Sequence, residues 1–408
     1  MTPKNSMALI DELGKLLKEA DGDFMRKAVE KLYGLLMELE VESKTGAGKY
    51  ERRDSRITTR NGKRNRLLDT TVGEINLGIP KLRTGSYMPS FIEPRRMTDK
   101  ALVSVIQDAY INGISTRKVD NLVESLGLNI DKSKVSRLCH EISYTVEEFK
   151  NRRLDGTEYP YVYLDATFPK VRESGRVQSM ALLVAMAVNK NGDREILGFD
   201  IGTSEDGAIW GQFLESLVER GLKGVKLVIS DSHMGLKKAI SSVLTGASWQ
   251  RCRVHFMRNI LAQIPQKQKG LVSAIVRTIF MAESKQEAKE QLHYVVNQFE
   301  GKFPTAMEIV ENAEEEILTY MDFPQKHWQQ IYSTNVLERL NKEIRRRFDV
   351  VSIFPGRSSV IRLGGAVLME QHDEWTVAEK RYLSAESMME LYITAAINNA
   401  KEKTLMVC

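Results

Sequence analysis

The stretch Tyr159-Pro160-Tyr161-Val162-Tyr163-Leu164-Asp165-Ala166-Thr167 runs aromatic, β-branched and aliphatic residues together and ends on a carboxylate. Such a run predicts a buried strand, here Tyr161 to Phe168, with an acid at its exit. The pattern recurs in Lys226-Leu227-Val228-Ile229-Ser230-Asp231-Ser232-His233, where a strand from Val225 to Ser230 again delivers an Asp. Met234-Gly235 then turns the chain into a helix. A single Asp at a strand end is commonly a turn residue; two in matched contexts suggest a pair brought side by side in one sheet.

The intervening chain fills out that sheet. Strands are expected at Ser179 to Asn189 and Glu195 to Gly202, joined through the Asn191-Gly192 turn. A helix carrying Trp210, Phe213, Leu214, Leu217 and Val218 follows over Ile209 to Arg220, another spans Gly235 to Leu244, and a strand spans Ser248 to Val254. The order β-β-β-α-β-α-β is the ribonuclease-H-like α/β layout, in which the first and fourth strands are neighbours. Those two strands carry Asp165 and Asp231. A third acid, Glu338, lies in the predicted helix Asn335-Val336-Leu337-Glu338-Arg339-Leu340-Asn341-Lys342-Glu343-Ile344-Arg345-Arg346-Arg347. Carboxylates converging from separate elements repel one another unless cations sit among them, and three hard oxygen ligands suit Mg²⁺ or Mn²⁺. Two plainer readings stand beside this one. Asn335-x-x-Glu338 fits a capping box. Val336, Leu340 and Ile344 form an apolar stripe that would leave Glu338, Asn341 and Arg345 on a solvated face.

The 408 residues, 42% of them hydrophobic, suffice for several domains and a sizeable core. The longest apolar run, Met180 to Val188, is too short to span a bilayer, and no secretory leader is evident, so a cytoplasmic protein without membrane contact is expected. Three scattered cysteines, Cys139, Cys252 and Cys408, fit a reducing compartment. Charge is concentrated: nine Lys or Arg against four acids lie between Val41 and Thr70, a surplus equal to that of the whole chain. Such a patch suits a polyanion, or simply a solvated segment. Within it Asn61-Gly62 predicts a hairpin turn, with another strand at Glu74 to Pro80.

Upstream, residues 6 to 41 are spaced for two amphipathic helices split near Asp21-Gly22-Asp23, packed on each other or on a second protomer. Thr98 to Tyr144 has the outline of a helix-turn-helix, whose third helix would offer Lys132, Lys134 and Arg137 to DNA. An ordinary three-helix packing unit has the same outline. The expected organisation is therefore a helical segment over 1–45, a basic β/loop segment over 46–96 and a helix-turn-helix over 97–148. The first part of the core (149–256), a helical insertion (257–330), and the Glu338 helix with the C-terminal part of the core (331–408) complete it.

Four short motifs in this order carry a resemblance: Leu164-Asp165-Ala166-Thr167, Ser230-Asp231-Ser232-His233-Met234-Gly235-Leu236, Trp249-Gln250-Arg251-Cys252-Arg253-Val254-His255-Phe256 and Thr334-Asn335-Val336-Leu337-Glu338-Arg339-Leu340-Asn341. Together they resemble the mutator-type DDE transposases of bacterial insertion sequences, and the likeness extends from the Asn61-Gly62 segment to Phe354-Pro355. The resemblance implies that Asp165, Asp231 and Glu338 are the catalytic triad, cutting and joining double-stranded DNA at the ends of the chain's own mobile element. Two divalent ions, one on each side of the phosphodiester, would suit that chemistry, with Asp165 bridging both. Synapsis of two ends implies a homodimer or higher assembly. The resemblance also marks Cys252 and His255 as a feature near the active site. They form half of a zinc-like C-x-x-H, with no second pair at ligand spacing except the adjacent Cys139-His140, and a buried Cys beside a hydrogen-bonded His is the plainer alternative. Arg345, two turns after Glu338, could reach the scissile strand, while Arg346 and Arg347 would clamp backbone phosphates. Trp210 and Trp249 could stack on an unpaired base, or simply pack in the core. A ribonuclease-H-like nuclease or junction resolvase, and a DNA-binding regulator without catalysis, remain as alternatives.

Overall fold

The computed structural model describes residues 24–51, 56–70, 72–92, 132–204 and 206–393, with backbone only at residues 24 and 132–140. The chain divides into two compact units, residues 1–142 and 143–408. Among the described residues no helix is long and apolar enough to cross a membrane.

In the first unit, helix α1 (Phe24–Thr45) packs on an antiparallel pair, β1 (Arg60–Thr70) and β2 (Gly73–Leu82). The core is built from Met37 and Val41 of the helix against Leu68, Ile75, Leu77 and Ile79 of the strands. Of the apolar residues that predict this helix, Leu32, Leu36 and Leu39 are exposed instead; the buried line runs through Val29, Tyr33, Met37 and Val41. The Asn61-Gly62 hairpin is a correction. Both residues lie inside β1, and the register slips between Arg60 and Lys63. Gly62 has φ +76°: the left-handed conformation that could have made a hairpin turn makes a β-bulge. The chain reverses at Thr70–Gly73, where the Thr70 hydroxyl donates to the Gly73 carbonyl at 2.7 Å. The expected first helix and most of the helix-turn-helix lie outside the described residues. So do the side chains of Lys132, Lys134 and Arg137, although the backbone of helix α2 (Lys132–Lys150) begins where the third helix is expected.

The second unit is built on a five-stranded mixed sheet: β3 (Tyr161–Thr167), β6 (Ala181–Val188), β7 (Arg194–Gly202), β8 (Leu227–Ser230) and β9 (Ser248–Arg251), in the spatial order β7-β6-β3-β8-β9. β3, β6 and β7 pair antiparallel, while β8 joins β3, and β9 joins β8, in parallel. Strand lengths match the apolar runs within a few residues. What the sequence reading lacks is the hairpin β4 (Lys170–Glu173) and β5 (Arg176–Ser179), inserted between β3 and β6. One face of the sheet, with Val162, Leu164, Leu183, Ala185 and Val228, packs against Trp210, Phe213 and Leu217 of α3 (Gly207–Glu219) and Leu236 and Ile240 of α4 (Met234–Val243). Because side chains alternate along a strand, Tyr161, Tyr163 and Asp165 face the other way. There the Tyr161 hydroxyl meets His327 Nδ1 at 2.6 Å and Tyr163 donates to the Gln330 carbonyl at 3.3 Å. Both faces are covered, which is why β3 and β6 read as continuous apolar runs.

After β9 comes a helical region: α5 (Arg253–Ala262), α6 (Lys269–Ile279), α7 (Lys285–Phe299), α8 (Pro304–Asn312) and the short α9 (Glu314–Leu318). Its acidic run is not a free surface, since Glu314 is bonded to Lys289 and His293, Glu315 to Lys285 and Lys289, and Glu316 to Lys237 and Arg251. The chain then returns through α10 (Trp328–Ile331) to α11 (Asn335–Val351), followed by α12 (Arg357–Val377).

Candidate active site

The strand register places the first two acids. β3 and β8 pair Tyr161 with Leu227, Val162 with Val228 and Tyr163 with Ile229. This offset of 66 residues is the one separating Asp165 from Asp231. The two acids therefore stand level at the ends of adjacent parallel strands, whose spacing is about 4.8 Å. Register also puts Cys252 level with Asp231, one strand further out, since Ser230 pairs with Arg251. The head of α4, which follows Asp231, is pressed against the head of α3. A Cβ on Gly235 would come within 2.5 Å of the Gly207 backbone nitrogen, so the Gly of the Asp231 motif is needed for that close approach.

Helix α11 brings the third acid. Its residue Asn341 is buried and donates through Nδ2 to Asp165 Oδ2 at 2.8 Å, while the Ala166 amide donates to Oδ1 at 3.0 Å. Glu338 lies three positions before Asn341, hence one turn away on the same side of the helix. Its Oε1 meets Arg258 Nη2 at 3.0 Å and His255 Nε2 at 3.5 Å, both residues coming from α5. The buried stripe of α11 runs through Leu337, Leu340, Asn341, Ile344 and Phe348. It is rotated from the expected one, and Asn341 moves from the solvent face to the site. The capping-box alternative does not hold: the helix is preceded by Thr334, not Asn335, in the capping position, and the Glu338 carboxylate reaches α5.

Electrostatics follow from this burial. Desolvation pushes the Asp165 carboxyl above its ordinary range; His255, the Ala166 amide and Asn341 oppose that rise, and the Asp231 charge adds to it. Next to the Cys252 sulfur, with Asp165 and Asp231 nearby and burial opposing, the His255 imidazole is pushed up to about 9. Burial alone would raise the Cys252 thiol, yet hydrogen bonds from His255 and Thr334 outweigh it and hold the thiol below its usual value.

The Trp249-Gln250-Arg251-Cys252 motif is the strip on which the helical region returns to the sheet. Buried Gln250 donates to the Ile317 carbonyl at 3.2 Å and accepts from the Tyr320 amide at 2.8 Å. Arg251 pairs with Glu316. The Cys252 amide donates to the Ser230 carbonyl at 2.7 Å, and its sulfur accepts from the Thr334 amide at 3.4 Å and hydroxyl at 3.3 Å. Cys252 thus touches both the strand end before Asp231 and the residue before α11. Trp249 donates to the Ser230 hydroxyl at 2.8 Å, and Trp210 is wholly buried against Phe213, so core packing accounts for Trp210.

Asp165 and Asp231 are a fitting pair of hard oxygen ligands for a divalent ion. The Asn341 carbonyl oxygen beside them is buried without a hydrogen-bond partner. Among the described residues no three acid, His or Cys side chains are gathered closely enough to hold an ion; the Glu338 carboxylate is turned onto Arg258 and His255. Of the three arginines expected to contact DNA, Arg345 and Arg346 are exposed. Arg347 is a correction: only 6% exposed, it is held by Glu343 at 2.7 Å and Glu370 at 3.1 Å.

Residues 1–378 match the family model "Transposase, Mutator family". The transposase for insertion sequence element IS1081 of Mycobacterium tuberculosis is 41% identical over 96% of this chain and 95% of its own length. The transposase for IS256 in transposon Tn4001 of Staphylococcus aureus is 38% identical over 89% and 93%, and that for ISRM5 of Rhizobium meliloti 36% identical over 95% and 96%. Among solved structures, a Drosophila P element transposase strand transfer complex overlaps loosely, with a TM-score of 0.30 and 10% identity over 70% of this chain and 83% of that one. With the family matched over nearly the whole length and relatives this similar along it, the chain belongs to the Mutator family of transposases.

Proposed function

We propose that this transposase uses a DDE site, Asp165, Asp231 and Glu338, on a ribonuclease-H-like core interrupted by the helical region 257–330, to cut and join double-stranded DNA at the ends of an insertion sequence. The shared offset of 66 residues carries the reading, since strand pairing in that register supports two carboxylates standing level at the ends of adjacent strands. Asp165, Asp231 and Glu338 would hold Mg²⁺ or Mn²⁺, which would activate the attacking oxygen and stabilise the leaving one. Asn341 orients Asp165 by its 2.8 Å hydrogen bond. Cys252 and His255 order the site from the other side, the sulfur binding Thr334 at the head of α11 and the imidazole facing Glu338. Arg345 and Arg346, the basic segment 46–96 and the helix-turn-helix 97–148 with Lys132, Lys134 and Arg137 contact DNA phosphates and bases. Two copies of the chain hold the two element ends.

The deciding experiment incubates purified protein with labelled linear DNA bearing the element ends and Mg²⁺, then maps nicks and joined products. Joined products that vanish in Asp165→Asn are expected. Cutting without joining would instead indicate a nuclease, and products unchanged in Asp165→Asn would remove the site altogether.

A further inference from the structure

We propose that Arg258 is a positioning residue that holds Glu338 in the DNA-free protein and passes its guanidinium to a backbone phosphate when DNA enters, releasing the carboxylate toward Asp165 and Asp231. The proposal rests on Glu338 being the third acid of the DDE site.

Arg258 projects from α5 and meets Glu338 on α11 through one nitrogen, Nη2, at 3.0 Å. Its side chain is 60% exposed while that of Glu338 is 25% exposed. A guanidinium has five N–H donors in a planar fork, and at this exposure most of them stay open to an incoming acceptor. The contact is single and solvent-facing, so it contributes only about 1 kcal/mol or less. A phosphate accepts a guanidinium in a paired, charge-assisted geometry, and a DNA strand bound at this site would offer phosphates to the exposed Arg258. The exchange is therefore downhill once DNA is bound.

Helix α11 itself need not move. Asn341 keeps it fixed on Asp165, and Cys252 keeps its head fixed through Thr334. Only the Glu338 side chain has to turn, leaving His255 at 3.5 Å as its remaining neighbour on α5. In the DNA-free chain a protein cation thus stands against the third carboxylate.

The test uses the full chain in two measurements. Calorimetric titration of DNA-free protein with Mn²⁺ should show Arg258→Ala binding about fivefold more tightly than the parent, the fold-change matching a contact of about 1 kcal/mol. Arg258→Gln, of similar length but uncharged, should match it, so that loss of bulk is not the cause. Binding of a duplex bearing the element end, measured across salt concentrations, should show a slope reduced by about one phosphate contact in both variants. A purely structural arginine would move neither reading in these directions. Unchanged or weaker Mn²⁺ binding in both variants, or an unchanged salt slope, overturns the exchange. Glu338→Gln separates the two ideas. If it loses Mn²⁺ affinity while the Arg258 variants gain none, only the exchange fails; if it binds Mn²⁺ as the parent does, the third-acid reading fails and the exchange with it.

Discussion

Two ways of delivering a carboxylate meet at this site. Asp165 and Asp231 are set by a strand ladder: once β3 and β8 pair, the distance between the acids follows from strand spacing and leaves side-chain packing little to decide. Glu338 is set by docking. Its position depends on Asn341 reaching Asp165, on Cys252 reaching Thr334, and on α5 supplying Arg258 and His255. The ladder recurs as a local sequence pattern. The docked helix rests on side-chain contacts, and its pattern is spread over residues from 252 to 341. The expected division is that changes to the ladder acids remove chemistry outright, while changes to the docking contacts grade it.

The largest effect should come from the ladder. Asp165→Asn or Asp231→Asn should lower strand cleavage by ~10³-fold or more, because on the proposed reading each would remove a ligand to ions that would contribute several kcal/mol to the transition state. Binding to a duplex bearing the element end should be kept. Cleavage rates at saturating DNA, with retention of the complex on a native gel, check this. A loss of only a few-fold in either variant would put that acid on the same graded footing as the docking contacts.

Next comes the segment leading into α11. His327 is wholly buried, with Nδ1 on the Tyr161 hydroxyl, so it ties the returning chain to the strand that carries Asp165. Burial lowers its pKa from 6.5 to about 4. A depressed histidine contributes stability that is fully present above pH 6.5, where neither state is charged. That stability is lost as the pH falls toward 4, because the unfolded chain takes up the proton first. The difference is about 3 kcal/mol over that window. Denaturant unfolding of the parent between pH 6.5 and 4 should therefore fall more steeply than that of His327→Gln, which keeps a polar partner for Tyr161 but does not titrate. Parallel acid limbs would show that His327 does not clamp the returning chain in its neutral form.

A smaller, graded loss is expected from Asn341→Ala. It leaves all three acids in place and removes the bond from α11 to Asp165; if Asp165 holds a metal ion as proposed, cleavage should fall by ~10- to 100-fold, the usual cost of losing a partner that orients a metal ligand. Mn²⁺ affinity should weaken with it. A loss as deep as that of Asp165→Asn would mean the docked helix is as decisive as the ladder. These expectations divide as legibility in the sequence does. The strand acids are readable because an apolar run ending in Asp is a local signal, repeated at the right spacing. Asn341 is not, because Val336 and Leu337 both continue a 3.6-residue stripe through Leu340 and Ile344, and only tertiary contact chooses the second. Gly62 is misread for a similar reason: its positive φ is legible, but whether it serves a turn or a bulge is settled by where β2 pairs. The Cys252 motif is visible as a motif, while its job as the landing strip for the chain from Glu316 to Thr334 needs the partners in hand.

The smallest effect separates two neighbouring arginines. Both follow Ile344, in a run of three bases that sequence alone treats as equivalent. Arg346 is paired at 2.7 Å with Glu343 on an exposed helix turn, whereas Arg347 is buried between Glu343 and Glu370. Exposed pairs of this kind contribute little, so Arg346→Ala should change stability by no more than ~0.5 kcal/mol. It should still weaken duplex binding, lowering the salt slope by about one contact if a phosphate is its partner in the complex. Arg347→Ala should do the reverse, lowering the melting temperature and leaving the salt slope alone, because its charge serves two carboxylates of its own unit. Salt-dependent binding of the two variants to one duplex, read beside their melting curves, measures both at once. If Arg347→Ala moved the slope and Arg346→Ala did not, burial would have misled, and α11 would present to DNA a face turned by about one residue from the one seen here.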